Sequence, residues 1–286
     1  MIKKKNRIIA KIKSKYWIRT HKFGIEIPKS VEDAKRIDKA NHNTNWWDAV
    51  WKEMKNVRVA FEKYDGKQSE IPSNYTKINC HLIFDVNMGE NFRRKSRMVA
   101  GGNVTDVTSS ITYSSVVSRD SARTIFMIAA LNNLKVLGCD TQNAYLTAPT
   151  WEKIWTIAGP EFGSEKGCIM MVVQALYGLK PSGSAFWSFL EETLDSLDYR
   201  PSYADSDVWM SPAVKPDGYQ YWEYVLCYVD DIFCISHNPE ETMKGIQAYF
   251  KLRDDKVEEP TYYLGATVSK IQNEDGVECW AIESDK

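Results

Sequence analysis

An α+β fold is the class this sequence predicts, and three observations carry it. Short apolar runs of strand length recur along the chain. Stretches with a 3.6-residue apolar period stand between them, and the two kinds alternate irregularly, with hairpins, rather than strictly one after the other as in a doubly wound parallel sheet. The 286 residues allow one large domain or two modest ones. Composition is ordinary for a globular chain, at 43% hydrophobic and 26% charged, which excludes disorder, collagen and coiled coil. Ten Trp, fifteen Tyr and ten Phe supply the mass of a sizeable core.

Residues 23–45 read as an irregular connector, with Pro28 and the polar run Asn41-His42-Asn43-Thr44. From Asn45 the pattern turns helical, with Trp46, Trp47, Val50, Trp51 and Met54 on one face. Cys80–Val86 and Ser96–Ala100 predict two strands joined by Asn87–Asn91 and the basic cluster Arg93-Arg94-Lys95. Ser121 with Thr124–Leu137 predicts a helix ending at Gly138, and Cys139–Leu146 a short strand closed by Pro149. Trp151–Ile157 and Cys168–Val173 are the next strands. Ser184–Leu197 is a helix burying Phe186, Phe189, Leu190, Leu194 and Leu197. Trp209–Met210, Tyr219–Cys227 and Ile232–Ser236 are strands, Glu240–Lys251 is a helix, and Tyr262–Val268 is the last strand.

Net charge is −1, yet residues 1–22 hold nine Lys or Arg and no acid, a basic arm on an acidic body that suits either contact with a polyanion or a solvated leader. The longest apolar run, Ile125–Leu131, is far short of the ~20 residues of a membrane helix, and the Lys-rich start lacks the apolar core of a secretory signal. A soluble chain without a membrane partner is the expectation. Six cysteines without a C-x-x-C pair argue against zinc and against a disulfide framework, and point to a reducing cytosolic or nuclear setting. None of the four histidines lies in a nucleophile context, and no G-x-x-x-x-G-K-[ST] phosphate loop occurs.

The most informative segment is Tyr224–Ile235, in which two apolar runs flank Asp230-Asp231. A tight hairpin would present both acids at its tip while its arms lie in a core. Paired ionised carboxylates repel, so a divalent cation is the simplest way to keep them charged and close. Chance alone gives about one Asp-Asp pair in a chain with 19 Asp, and two occur. The apolar flanks single out Asp230-Asp231, because Asp254-Asp255 stands in a solvated charge run. Asp140, opening a strand after a helix-ending glycine, could aim at the same point; alone it reads as a turn or cap residue. Carboxylates from two strands can share two metal ions that clamp a phosphoryl transfer.

Tyr228-Val229-Asp230-Asp231 between apolar arms resembles the catalytic box of reverse transcriptases. Lys95–Gly102, Asp140–Leu146, Ala175–Lys180 and Tyr262–Gly265 resemble, in order and approximate spacing, companion motifs of the copia-type enzymes of LTR retrotransposons. With Trp46–Val57 upstream, the resemblance covers roughly residues 45–270. It implies a right-handed polymerase of palm and fingers, the palm an antiparallel sheet of split βαβ type backed by helices. The implied division is a basic arm and connector over 1–45, fingers and palm over 46–270 and a tail over 271–286.

The implied activity is RNA-directed DNA polymerisation, with an RNA template, a DNA primer–template and deoxynucleotides as partners. The resemblance makes Asp140, Asp230 and Asp231 catalytic and the ligands of two Mg²⁺ ions, with Mn²⁺ as a substitute. It places Asn143 and Ala144 under the triphosphate, and Tyr145 as an aromatic gate against a ribose 2′-hydroxyl. Lys95 and Arg97 match a basic strand around the triphosphate. Tyr177, Gly178 and Lys180 match the segment that aligns the nucleotide, and Tyr262, Tyr263, Leu264 and Gly265 the strand that positions the primer. Such enzymes belong to a polyprotein with capsid-like, protease, integrase and ribonuclease H parts, working in a cytoplasmic virus-like particle and at a nuclear stage. Too few residues follow Asp231 for a nuclease domain or a full thumb. The alternatives are an inactive remnant that binds nucleic acid without turnover and, last, a two-metal nuclease.

Overall fold

The computed structural model describes residues 20–88, 91–102, 115–263, 266–272, 274, 276 and 278–284. Residues 1–19 of the basic arm, Gly89 and Glu90 of the expected turn, and Leu264 and Gly265 of the expected primer motif lie outside them. The elements run β1 (His21–Lys22), β2 (Ile25–Glu26), α1 (Val31–Ala40), α2 (Asn45–Val57), β3 (Phe61–Tyr64), β4 (Thr76–Lys77), β5 (Cys80–Asn87) and β6 (Arg93–Ala100). Then come α3 (Arg119–Leu131), β7 (Lys135–Asp140), β8 (Pro149–Ile157), β9 (Ile169–Gln174), α4 (Ser182–Ser196), β10 (Arg200–Pro201), β11 (Val208–Val214), β12 (Gln220–Tyr228) and β13 (Asp231–Ser236). Helix α5 (Pro239–Gln247) and strands β14 (Tyr262–Tyr263), β15 (Ala266–Gln272) and β16 (Glu278–Ser284) complete the chain order. Two compact units form, Met1–Asp106 with Trp151–Leu179, and Val107–Thr150 with Lys180–Lys286.

In the first unit, α1 occupies what reads in sequence as a connector. Six of its ten residues are charged, so its apolar stripe is only Val31, Ala34 and Ile37, too thin to stand out. Ser30 caps it by accepting from the Asp33 N–H at 3.1 Å. Buried Asp38 accepts from the Trp46 and Trp47 N–H groups at 3.1 and 2.8 Å, and so ties α1 to the start of α2. Helix α2 buries Trp46, Val50 and Met54 of the expected face, and Val57 besides, whereas Trp51, expected on that face, is exposed and Trp47 is half-buried. Strands β5 and β6 form a regular hairpin from Cys80↔Ala100 to Asn87↔Arg93, so the basic cluster Arg93-Arg94-Lys95 lies on a strand and not in the connecting loop. The Ser96 hydroxyl donates to the Ala49 carbonyl and the Met98 N–H to Glu53, which pins this hairpin on α2. A four-stranded sheet of order β3-β9-β8-β4 completes the unit, with β4 and β8 parallel.

The second unit is built on an antiparallel sheet of order β10-β11-β12-β13-β7. Its central strands are buried on both faces. Val225, Cys227, Ile232 and Cys234 join one core with Phe186, Leu190 and Leu194 of α4 and Met243 and Ile246 of α5. Tyr224, Leu226, Phe233 and Ile235 join the other with Ala122, Ile125 and Phe126 of α3. Two buried faces explain why the strands beside Asp230-Asp231 read as unbroken apolar runs.

The helix expected to reach Leu137 ends at Leu131, because the Asn132-Asn133 turn, with Asn133 at φ 49°, breaks it. Strand β7 then runs through Gly138 to Asp140. Gly138 is a packing glycine, since a Cβ there would sit 2.6 Å from the Phe233 ring. The expected strand Tyr262–Val268 is two, β14 and β15, and β16 lies in the expected tail, forming a three-stranded antiparallel sheet with them. The fold is a mixed one with mainly antiparallel sheets, as the irregular alternation predicts. No helix among the described residues is long and apolar enough to cross a membrane.

Candidate active site

Strands β12 and β13 pair down to Tyr228↔Asp231, which leaves Val229-Asp230 as a two-residue turn. Val229 sits at φ 54°, the left-handed region, where a β-branched residue is an outlier. Such strain persists only where surrounding structure enforces it. Here the enforcement is visible: the Thr141 N–H and hydroxyl both donate to the Asp230 carbonyl, at 2.7 and 3.0 Å. Asp140, at the end of β7, stands directly opposite Asp231 on β13. The carboxylates of two distant segments thus reach one end of one sheet. Asp140 closes a strand rather than opening one, and the chain then enters a 3₁₀ turn over Ala144–Thr147.

Burial pushes the Asp231 carboxyl up to about 6, and the negative charges of Asp230 and Asp140 add to the rise, against a small opposing effect of Arg253. Arg253 Nη1 pairs with Asp140 Oδ2 at 2.5 Å. The donor set is hard carboxylate oxygen, the kind that Mg²⁺ or Mn²⁺ takes, and its mutual repulsion is what a cation would relieve. In this respect the residues fit a divalent ion. Among the described residues, however, no three His, Cys, Asp or Glu side chains converge closely enough to hold one. Burial also pushes the adjacent Cys139 thiol up to about 12, so it is no nucleophile.

Asn143, at φ 56°, leads into the 3₁₀ turn that carries Ala144 and Tyr145. The Tyr145 ring packs edge-on to Phe186 with centroids 6.3 Å apart. It lines a narrow crevice, with room for little more than a water molecule, together with Trp187, Asp207, Cys227 and Val229. Lys180 lies half-buried just before α4. In the other unit, Lys95 and Arg97 both project from the exposed side of β6, and the Arg97 guanidinium stacks on the Tyr177 ring at 4.1 Å. Gly178 has φ 93°, and a Cβ there would strike the Ala100 carbonyl oxygen, so its close approach is to the protein's own backbone.

One expected primer contact is corrected. Tyr263 is buried, with its ring centroid 4.2 Å from that of Phe233, and it serves the core behind the Asp230-Asp231 hairpin; Tyr262 is the exposed member of the pair. Sequence reasoning misses Thr141, Arg253 and the buried Asp207, which accepts from the Trp187 indole N–H at 2.9 Å. Thr141 lies inside the Asp140–Leu146 motif, and its position beside Asp140 was the available signal. Arg253 had none, because it sits in a run of exposed charges.

The family model described as reverse transcriptase (RNA-dependent DNA polymerase) matches residues 67–279. The retrovirus-related Pol polyprotein from transposon RE1 of Arabidopsis thaliana is 24% identical over 261 residues, covering 87% of this chain and 17% of that protein. That from transposon TNT 1-94 of Nicotiana tabacum is 26% identical over 192 residues, or 65% of this chain and 14% of the relative. That from transposon RE2 of Arabidopsis thaliana is 22% identical over 273 residues, or 92% and 18%. The chain spans less than a fifth of the length of these curated relatives. With most of its length inside the family model and its motifs on one mixed, mainly antiparallel fold, the chain belongs to the reverse transcriptase (RNA-dependent DNA polymerase) family, as a domain of the copia type.

Proposed function

We propose that the chain catalyses RNA-directed DNA synthesis, adding deoxynucleotides to a primer 3′-hydroxyl on an RNA template. The observation that carries this is the direct cross-strand opposition of Asp140 and Asp231, with Asp230 tied to the same strand end through Thr141. In this reading the second unit acts as the palm and the first as the fingers. Asp140, Asp230 and Asp231 would hold the catalytic Mg²⁺ or Mn²⁺. When bound, the metal supplies acidity to the primer hydroxyl and counter-charge to the departing pyrophosphate.

The protein's own groups supply the positioning. The 3₁₀ turn after Asn143 offers backbone to the triphosphate, and Tyr145 offers a ring to the sugar. Arg97, its guanidinium 4.1 Å over the Tyr177 ring, presents one cation, and Lys95 a second one on the same side of the strand. Exposed Tyr262 is assigned to the primer end.

The test is primer extension on an RNA template with the purified chain, with and without Mg²⁺. Asp140→Asn and Asp231→Asn should each abolish extension with the fold retained by circular dichroism. Metal-independent extension, or extension that survives both substitutions, overturns the reading. Template binding without any extension by the unmodified chain would return the alternative of an inactive remnant.

A further inference from the structure

The free edge of β7 is covered by a strap, residues 251–258. The Gln142 N–H donates to the Lys251 carbonyl at 2.8 Å, and Gly138 and Glu258 exchange two backbone bonds at 2.8 and 3.1 Å. Buried Phe250 and Leu252 anchor the strap in the α4 and α5 core. Between these fixed points the backbone bends through Asp254 and Asp255, both left-handed at φ 55° and 52°. The bend leaves Arg253 on the carboxylate of Asp140, Nη1 to Oδ2 at 2.5 Å. The guanidinium side chain is 54% exposed and the Asp140 side chain 27%. The arginine can therefore swing into water at little cost, whereas the aspartate cannot leave the sheet end it shares with Asp231.

We infer that Arg253 is the built-in counter-cation of Asp140: it neutralises the acid while no metal is bound, is displaced when a divalent ion arrives, and thereby sets the metal affinity of the site. This rests on the reading of Asp140 as a metal ligand. The physical ground is that an oxygen held at 2.5 Å by a guanidinium cannot also take a divalent cation beside that charge without strong repulsion. Arg253 is a positioning residue, since it acts through Asp140 and not on the nucleotide.

The experiment is titration of the whole chain with Mn²⁺ alone, read by electron paramagnetic resonance of the free ion, with no nucleotide or nucleic acid present. Arg253→Gln should bind Mn²⁺ about two- to fivefold tighter than the unmodified protein, the scale of an exposed ion pair. Arg253→Lys, which keeps a cation, should fall between the two. Lys256→Gln removes the same charge from the same strap without touching Asp140, and should leave the affinity unchanged. In metal-free buffer Arg253→Gln should also melt lower than the unmodified chain, and saturating Mn²⁺ should narrow that gap. Equal affinity in Arg253→Gln and the unmodified protein, or equal tightening in Lys256→Gln, overturns the inference while leaving the metal site standing. Mn²⁺ binding that is indifferent to Asp140→Asn overturns the metal-ligand reading itself, and the inference with it.

Discussion

Thr141 holds Asp230 twice, through its N–H at 2.7 Å and its hydroxyl at 3.0 Å, both donated to one carbonyl oxygen. The carbonyl belongs to the turn and the donors to the strand end beside Asp140, so this contact joins the two acid-bearing segments. Thr141 is fully buried. Thr141→Val removes the hydroxyl and keeps the backbone bond. The expected loss is about 0.5–1.5 kcal/mol, read from a urea midpoint. Thr141→Ser should recover much of it, and a loss in Thr141→Ser with none in Thr141→Val would show that the methyl group, not the hydroxyl, matters.

Val229 pays for this arrangement in backbone strain. A non-glycine residue in the left-handed region costs roughly 1–2 kcal/mol, and glycine there costs little. Val229→Gly should therefore stabilise the fold, by up to about 1 kcal/mol after the added freedom of the unfolded chain is counted, and so raise the thermal midpoint. The same substitution loosens the carrier of Asp230, so nucleotide addition should slow. A variant both less stable and slower would mean that Val229 packing outweighs the strain.

The Asp231 carboxyl is lifted from 3.8 to about 6, chiefly by burial. A raised acid favours the protonated fold: as pH rises through this window the unfolded chain ionises first, and stability is lost. Above the window the penalty is complete, and below it there is none. Asp231→Asn should thus stabilise the metal-free protein at neutral pH, by about 1–2 kcal/mol once solvent screening of a part-exposed group is allowed for. Below pH 3.8 the gain should vanish. Thermal melts across pH in chelator-treated protein measure it, and a gain that is flat with pH would remove the charge from the explanation.

How much of the fold and the site was legible depends on what each residue's neighbours are. The hairpin at Asp230-Asp231 could be read because both faces of its strands are buried, which writes an unbroken apolar run on either side. Helix α4 could be read because its buried residues repeat at helical spacing. Helix α1 could not, since charge fills six of its ten positions. Gly138 misled, because a glycine that makes room for Phe233 looks the same in sequence as one that ends a helix. The motif residues Lys95, Arg97 and Tyr177 carried resemblance, but only structure brings Arg97 onto the Tyr177 ring. Arg253 was illegible altogether: its ion pair with Asp140 spans the chain, and nothing local distinguishes it from its exposed neighbours.

Gly178 supplies a prediction that separates packing from ligand binding. Its φ of 93° and the Ala100 carbonyl beside it leave no room for a side chain. Gly178→Ala should cost at least about 2 kcal/mol, from left-handed strain plus a backbone collision. The thermal midpoint should fall without nucleic acid present. A normal midpoint with weakened template binding would instead assign the glycine to close contact with nucleic acid.

Tyr145 links one side chain to the choice of sugar. It lies on the 3₁₀ turn five residues after Asp140, its ring set edge-on to Phe186 and facing the crevice shared with Trp187 and Val229. If the nucleotide's phosphates lie at the acids, its sugar falls near this ring, and a ribose 2′-oxygen presses into it. Overpacking of that size costs about 1–3 kcal/mol, or roughly 5- to 150-fold in discrimination. Tyr145→Ala should therefore raise ribonucleotide incorporation relative to deoxynucleotide. Tyr145→Phe should change the ratio little, because the ring excludes the hydroxyl and the phenol oxygen does not. The packing against Phe186 offers the competing outcome, in which truncation lowers stability and total activity alike. Competing ribo- and deoxynucleotides on one template decide between them: a lower yield with an unchanged ratio in Tyr145→Ala leaves the residue as core, and a shifted ratio makes it the gate.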